Sequence, residues 1–350
     1  MRRPGGRAQP ADCCQAALQA ASGSGAATVD PMRTRQLGES GLTVSVVGLG
    51  CNNFGSRMDD SAVGPTVAAA LDAGITLFDT ADVYGNRGGS EELLGAALRG
   101  RRDQAVVATK FGANMDDGSV ARGSRRYVRQ AVEASLRRLR TDWIDLYQLH
   151  EPDPNTPLEE TLAALDELVV AGKVRYIGCS NFDGWQIVDA DWVARDAHRA
   201  GFISAQNHYS LLERDAEREV IPACLHCGVG MLPYFPLASG LLTGKYRRGQ
   251  GAPEGTRLAR LPARQAELLT DENFDLVEAL EAYARERDLG LLDVAVAGLA
   301  AMPGVSSVIA GATSPEQVVA NAAAGDWDPG DDDLEALRAL LDGDEEAEED

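Results

Sequence analysis

Eight short runs rich in Val, Ile and Leu recur along the chain, beginning near Val44, Ile75, Ala105, Trp143, Val174, Phe202, Val229 and Ser306. Helical stretches follow most of them, at 61–73, 89–98, 125–140, 158–171, 185–198, 216–226, 272–287 and 315–323. The runs lack strict apolar–polar alternation, so both faces are buried, as in a parallel sheet covered by helices. Eight strand–helix units in about 280 residues predict an α/β fold, a closed (β/α)8 TIM barrel. Segments 33–37 and 42–46, joined by Glu39-Ser40-Gly41, predict a β-hairpin closing the barrel floor. Gly74, Gly172 and Gly201 stand where helices end on a left-handed residue. Thr156-Pro157-Leu-Glu159 reads as a helix start with a hydroxyl cap and Pro in the first turn. A rival fold is an open, doubly wound sheet, because Gly48-Leu-Gly50-Cys-Asn-Asn-Phe-Gly55 resembles a dinucleotide fingerprint. Its third glycine comes two positions late, and no helix opens at the loop.

The ends read differently from the middle. Residues 1–31 are rich in Ala, Gly, Ser and Pro and read as a disordered extension, with Met32 the expected start. Residues 32–340 form the barrel, and 341–350, almost all acidic from Asp342 on, read as a solvated tail. No apolar run approaches the ~20 residues of a membrane span, so no membrane association is expected. A formal charge of −21 excludes nucleic acid as a partner, since phosphate neutralisation needs Lys and Arg on one face. It also means that a phosphorylated ligand must be held by local donors against the long-range field.

Arg greatly outnumbers Lys; the only lysines are Lys110, Lys173 and Lys245. An ammonium is a compact point charge that fits where a planar guanidinium does not. Cysteines at 13, 14, 51, 179, 224 and 227 show no disulfide spacing, which points to a reducing, cytoplasmic compartment. Cys224-Leu-His-Cys227 lacks a second ligand pair and reads as a helix end running into a strand, so no metal is expected. The stretch 239–266, rich in Gly, Pro and Arg, is too long for an ordinary connection; such loops usually serve function.

In a barrel of this kind, side chains at the C-terminal strand ends share one rim. Asp79 ends the run Ile75-Thr-Leu-Phe-Asp79, Lys110 ends Ala105-Val-Val-Ala-Thr-Lys110, and His150 ends Trp143-Ile-Asp-Leu-Tyr-Gln-Leu-His150. Tyr84 follows Asp79 in a loop. Singly, each has a bland reading: a turn cap, a solvated amine, a core imidazole, a loop aromatic. Together they are equipment for placing a proton on a carbonyl oxygen. An unperturbed phenol, with a pKa of about 10, is a weak acid at neutral pH. A neighbouring ammonium lowers that value, and Lys110 can be that ammonium, fixed by Asp79. His150 can aim the carbonyl by a hydrogen bond while Tyr84 supplies the proton. Side chains cannot supply a hydride, so the scheme requires a reduced nicotinamide.

At this point the stretch 32–321 resembles the aldo-keto reductase superfamily, with matching motifs along nearly all of it. Phe78-Asp-Thr-Ala-Asp-Val-Tyr84-Gly is similar to its first signature, Thr109-Lys110-Phe-Gly to its lysine motif, and Asp145-Leu-Tyr-Gln-Leu-His150 to its histidine motif. The segment Arg33-Thr-Arg-Gln-Leu-Gly-Glu-Ser-Gly-Leu-Thr-Val-Ser-Val-Val-Gly-Leu-Gly50 resembles the usual opening of bacterial members. The resemblance implies Asp79, Tyr84, Lys110 and His150 as a catalytic tetrad. It implies Ser180, Asn181 and Gln206 as holders of the nicotinamide carboxamide, with Tyr234 stacking on its ring. Leu237, Ser239, Gly240 and Lys245, in Tyr234-Phe-Pro-Leu-Ala-Ser-Gly240-Leu-Leu-Thr-Gly-Lys245, match the pyrophosphate loop. Gly311, Thr313, Gln317 and Asn321 match the adenosine segment. Cys51, Asn52 and Phe235 complete the implied cofactor set.

This chain departs from the family in four places. Phe235 replaces a common Ser, and Ala320 stands where an acidic adenine contact often lies. Thr313 takes the place of a basic residue for the 2′-phosphate, so NADP is expected as cofactor with NAD as the alternative. His208 replaces a frequent Glu or Gln and reads as a residue behind the site. Asn53, Phe54, Glu151 and Arg257 are candidate walls of the substrate pocket. The implied activity is NAD(P)H-dependent reduction of a small aldehyde or ketone to an alcohol. Two alternatives stand beside it. One is a cofactor-sensing regulatory protein similar to potassium-channel beta subunits, which tend to lack the histidine. The other is a barrel lyase or isomerase, which leaves Ser180, Asn181 and Gln206 unexplained. The sequence identifies neither the substrate nor the oligomeric state.

Overall fold

A computed structural model of the protein describes residues 32–343. The extension 1–31 and all of the acidic tail after Gly343 lie outside the described residues. Strands β1 (Thr34–Gln36) and β2 (Thr43–Ser45) form the antiparallel hairpin, with Thr34 opposite Ser45. Its apolar side chains Leu37, Leu42 and Val44 pack with Leu77, Ala108, Leu146, Leu232 and Ile309, which come from five barrel segments. The hairpin therefore plugs the barrel at the end opposite the rim.

Eight parallel strands follow: β3 (Val47–Gly50), β4 (Leu77–Asp79), β5 (Val106–Phe111), β6 (Ile144–Leu149), β7 (Val174–Ser180), β8 (Phe202–Gln206), β9 (Gly230–Met231) and β10 (Val308–Gly311). Their order is β10-β3-β4-β5-β6-β7-β8-β9. The two edges meet, because Met231 N–H donates to Gly304 O at 2.8 Å, Ser306 N–H to Met231 O at 2.9 Å and Ile309 N–H to Pro233 O at 3.2 Å. The fold is the (β/α)8 barrel. Strand β6 is buried along its whole length, which is why its sequence shows no alternation.

Helices α1 (Asp60–Asp72), α2 (Tyr84–Ala97), α3 (Arg125–Leu139), α4 (Leu158–Val170), α5 (Gly184–Asp196) and α6 (Val220–Cys227) follow successive strands. The Cys224-Leu-His-Cys227 motif lies in α6, which stops at Gly228 (φ 68°) before β9. Two local expectations fail. Thr156 does not cap α4: its hydroxyl donates to Asp153 at 2.7 Å, and Pro157 takes the cap position. Gly201 is not left-handed; His198 (φ 53°) turns the chain after α5, whereas Gly74 and Gly172 do adopt positive φ.

Beyond β9 the chain adds α7 (Pro262–Leu268), α8 (Asp271–Arg285) and α9 (Leu291–Asp293), which runs into a π-helical turn at Val294–Gly298. Then come α10 (Pro315–Ala323) and α11 (Asp331–Asp342). Leu341 and Asp342, read as the start of the tail, belong to α11, whose Leu337 is buried in the core with Leu280 and Tyr283 of α8.

Candidate active site

Strand ends place the four rim residues. Asp79 is the last residue of β4, Lys110 lies one short of the end of β5, and His150 directly follows β6. Tyr84 opens α2. Lys110, fully buried, donates from Nζ to Asp79 Oδ2 at 2.6 Å and to Thr80 O at 3.0 Å. The ammonium also lies 4.9 Å from the Tyr84 ring centroid. The Tyr84 and His150 rings meet edge to face, with centroids 5.7 Å apart. Four residues drawn from three strands and a helix start thus share one point of the rim.

What holds Tyr84 there is an unusual turn. Gly85, Asn86, Arg87 and Gly88 all take positive φ (63°, 61°, 67° and 114°) before the helix proper begins. A Cβ on Gly85 would come within 2.4 Å of Ser90 N and 2.5 Å of Phe54 O. Only glycine fits so close to backbone, and strain of this kind gathers where a side chain must be aimed. The turn is tied down by Glu91, fully buried, which accepts from Thr109 Oγ1 and Arg138 Nε, each at 2.6 Å.

Electrostatics differ from expectation at the phenol. Burial pushes the Tyr84 pKa above the ordinary phenol value; Lys110 pulls it down, but less strongly than burial pushes. The expected net lowering is corrected accordingly: the cation limits the rise rather than reversing it, because a phenolate loses its hydration in this cleft. For Lys110, burial is the largest single influence and lowers its pKa, but Asp79 and Tyr84 together raise it above the ordinary value. Burial and Lys110 push the His150 imidazole down to about 3, so it is neutral at physiological pH. Its Nδ1 is buried without a hydrogen-bond partner.

The rim opens into a cleft of about 720 Å³ lined by Asp79, Tyr84 and His150, with Lys110 hidden behind them. Ser180, Asn181, Gln206 and Tyr234 line it beside the tetrad. Tyr234 Oη donates to Asn181 Oδ1 at 2.9 Å, and Asn181 Nδ2 donates to His150 O at 2.9 Å. Ser180 Oγ donates to Gln206 O at 2.8 Å. Phe235, Leu237, Ser239, Gly240, Lys245, Gly311, Thr313, Gln317 and Asn321 also line it, as do Asn52 and Cys51, whose backbone N–H donates to Asp79 O at 2.8 Å. Phe235, Ala238 and Ser239 are all left-handed (φ 54°, 44° and 58°), a strained run beside the cleft.

Other candidates divide. Asn53 and Arg257 line the cleft, whereas Phe54 is fully buried in the core and Glu151 is exposed away from the lining. His208 stacks parallel to Tyr234 (centroids 5.4 Å apart, 4° between planes) and does not reach the cleft lining. Sequence reading missed Arg57 and Arg260, which join Lys245 and Arg257 as cationic lining. Asp79 is the only carboxylate in that lining, and it is paired. After burial, Arg57 is the next influence lowering the pKa of both Lys245 and Arg257. Cations crowded in this way are relieved by an anion. The Arg-rich character of 239–266 was the available signal for Arg260; Arg57 sits in an ordinary-looking loop.

Known proteins resemble this chain in sequence. The model of the Aldo/keto reductase family matches residues 46–342. The chain belongs to the aldo/keto reductase family. It is 38% identical over 298 residues to an uncharacterized oxidoreductase, YrpG, of Bacillus subtilis (strain 168), covering 82% of this chain and 89% of that one. It is 35% identical over 318 residues to the aldo-keto reductase YhdN of the same organism, covering 89% and 94%. A probable voltage-gated potassium channel subunit beta of Oryza sativa subsp. japonica is 37% identical over 303 residues, covering 83% and 90%. Membership in the aldo/keto reductase family implies NAD(P)H-dependent carbonyl reduction. No helix among the described residues of this aldo/keto reductase is long and apolar enough to cross a membrane.

Proposed function

We propose that the protein reduces an aldehyde or ketone to an alcohol with NADPH, with Tyr84 as the proton donor. The observation that carries this reading is the buried Lys110–Asp79 pair set against the Tyr84 ring at the head of a cationic cleft. Tyr84 donates its proton to the carbonyl oxygen. Lys110 limits the cost of the phenolate left behind, and Asp79 fixes Lys110. His150, neutral, offers a ring N–H that orients the same oxygen. A reduced nicotinamide bound in the cleft would supply the hydride.

The cleft's donor set fits that cofactor. Ser180, Asn181 and Gln206 offer both donors and acceptors, as a carboxamide needs. Tyr234 offers an aromatic face with Phe235 packed edge-on against it, and Cys51 and Asn52 line the same cleft. The turn through Leu237, Ser239 and Gly240 leads to Lys245; Gly240 takes φ 94°, so the backbone must stay bare there. Arg57, Lys245, Arg257 and Arg260 supply the charge that phosphates need in an acidic chain. This surplus favours NADPH over NADH although Thr313 is not basic. Gly311, Thr313, Gln317 and Asn321 serve the adenosine end. Free buried thiols at Cys51, Cys179 and Cys224 fit a cytoplasmic location.

The similarity to channel beta subunits favours one second reading, a cofactor-sensing regulatory protein. His150 in the rim speaks for turnover. The test is a screen of NADPH oxidation across aldehydes, ketones and sugars, run in parallel with NADH. Turnover with NADPH on at least one class is expected; tight NADPH uptake with no turnover on any class selects the regulatory reading.

A further inference from the structure

The carboxylate that fixes Lys110 is itself held from behind. Oδ2 of Asp79 takes the ammonium at 2.6 Å, while Oδ1 accepts from Gln206 Nε2 at 2.9 Å and from Gln148 Nε2 at 3.3 Å. Gln206 lines the cleft. Gln148 does not: it is fully buried on β6, as the register partner of Lys110. Only the nitrogen end of a carboxamide can face a carboxylate, so its orientation is fixed. The other end, Oε1, is buried with no hydrogen-bond partner.

An orphaned buried acceptor is unfavourable, and an apolar side chain of similar volume would avoid it. Gln148 is nonetheless closely packed. Its partner on β7 is Gly178, where a Cβ would come within 3.2 Å of Gln148 Cγ and 2.2 Å of Ser204 Oγ. A residue that costs stability while touching the anchor of a reactive group is best explained by what it does for that group.

We propose that Gln148 is a positioning residue for proton transfer: with Gln206 it holds Oδ1 of Asp79 so that Oδ2 anchors Lys110 without drawing it off Tyr84. Released from the amides, the carboxylate turns both oxygens to the ammonium. Lys110 then retreats from the phenol, and burial acts on Tyr84 with less opposition. The groups facing Tyr84 are Lys110 from β5, Asp79 from β4, Cys51 after β3, His150 after β6 and Tyr234 after β9. Of these, only Lys110 lowers the cost of the phenolate. The inference rests on Tyr84 as proton donor.

The test compares Gln148→Leu and Gln148→Met with the native protein and with Tyr84→Phe. Expected for either Gln148 variant are an unchanged or higher Tm, an unchanged Kd for NADPH and a kcat about tenfold lower. The alkaline limb of kcat should also move up by about one pH unit, the shift that a tenfold change in proton affinity produces. An unmoved pH profile overturns the proposal, whether kcat falls or not. So does failure of both variants to fold, since Gln148 is held not to serve the fold. Tyr84→Phe separates the two claims. If it retains turnover, the proton-donor reading is wrong; if it is inactive while the Gln148 variants behave as the native protein, only the positioning role is wrong.

Discussion

Replacing Lys110 with Met removes the ammonium and leaves the Asp79 carboxylate buried, 3% exposed, without its counter-ion. At 2.6 Å and an effective dielectric of about 20, the lost attraction is roughly 6 kcal/mol before desolvation is counted. Breaking one side of a buried pair typically costs about 3–5 kcal/mol. In a chain of this size that lowers Tm by roughly 4–8 °C, measured by calorimetry. The Asp79→Asn, Lys110→Met double variant carries no stranded charge and should regain about 2 kcal/mol or more. Catalysis should not return with stability. Without the ammonium, burial acts unopposed on Tyr84, so carbonyl reduction falls roughly 100-fold or more in both variants. The folded pKa of Lys110 is raised, so its stabilising share is present below its unfolded value and is lost as pH rises through the folded one. Lys110→Met should therefore flatten the alkaline loss of stability. A single variant as stable as the native protein, or a double variant less stable than the single, refutes this reasoning.

Three further outcomes are expected. The unfolded chain binds a proton at His150 near pH 6.5, but the fold excludes it until about 3. Stability should therefore fall as pH drops through that window, and less so in His150→Asn; an imidazole NMR signal that titrates near 6 would contradict this. Arg257→Ala should weaken NADPH binding at least about tenfold and flatten its salt dependence, with NADH affected less, whereas Lys245→Met, at the pyrophosphate that both cofactors share, should weaken both alike; equal effects of Arg257→Ala on the two cofactors would remove the case for the 2′-phosphate. Gly85→Ala forces a side chain into positive φ against Ser90 N and Phe54 O, so a loss of about 2 kcal/mol or more and reduced kcat should follow; a neutral substitution would show that the turn does not aim Tyr84.

Much of this was legible in the chain. Arg125–Leu139 and Pro315–Ala323 follow apolar periodicity, and the rim residues follow from where the apolar runs stop. What was not legible depends on distant partners. The hydroxyl of Thr156 turns to Asp153, whose Oδ2 also accepts from the N–H of Gly123, thirty residues away, at 2.6 Å. The net direction of the Tyr84 shift depends on how much water the fold removes, which strand spacing does not show. Arg57 carries no periodic or motif signal; it joins the cations only because the barrel brings its loop beside 239–266. Helix α11 was readable in principle, since Leu334, Leu337 and Leu341 repeat at helical spacing, but the acidic composition masked it.

The central claim is that one phenol delivers the proton while the cleft around it binds the reduced cofactor. The most direct measurement is a single-turnover experiment on Tyr84→Phe, in which bound NADPH is oxidised by a reactive aldehyde. NADPH should bind within about threefold of the native Kd, and its oxidation should slow at least about 100-fold. Oxidation at close to the native rate would contradict the account.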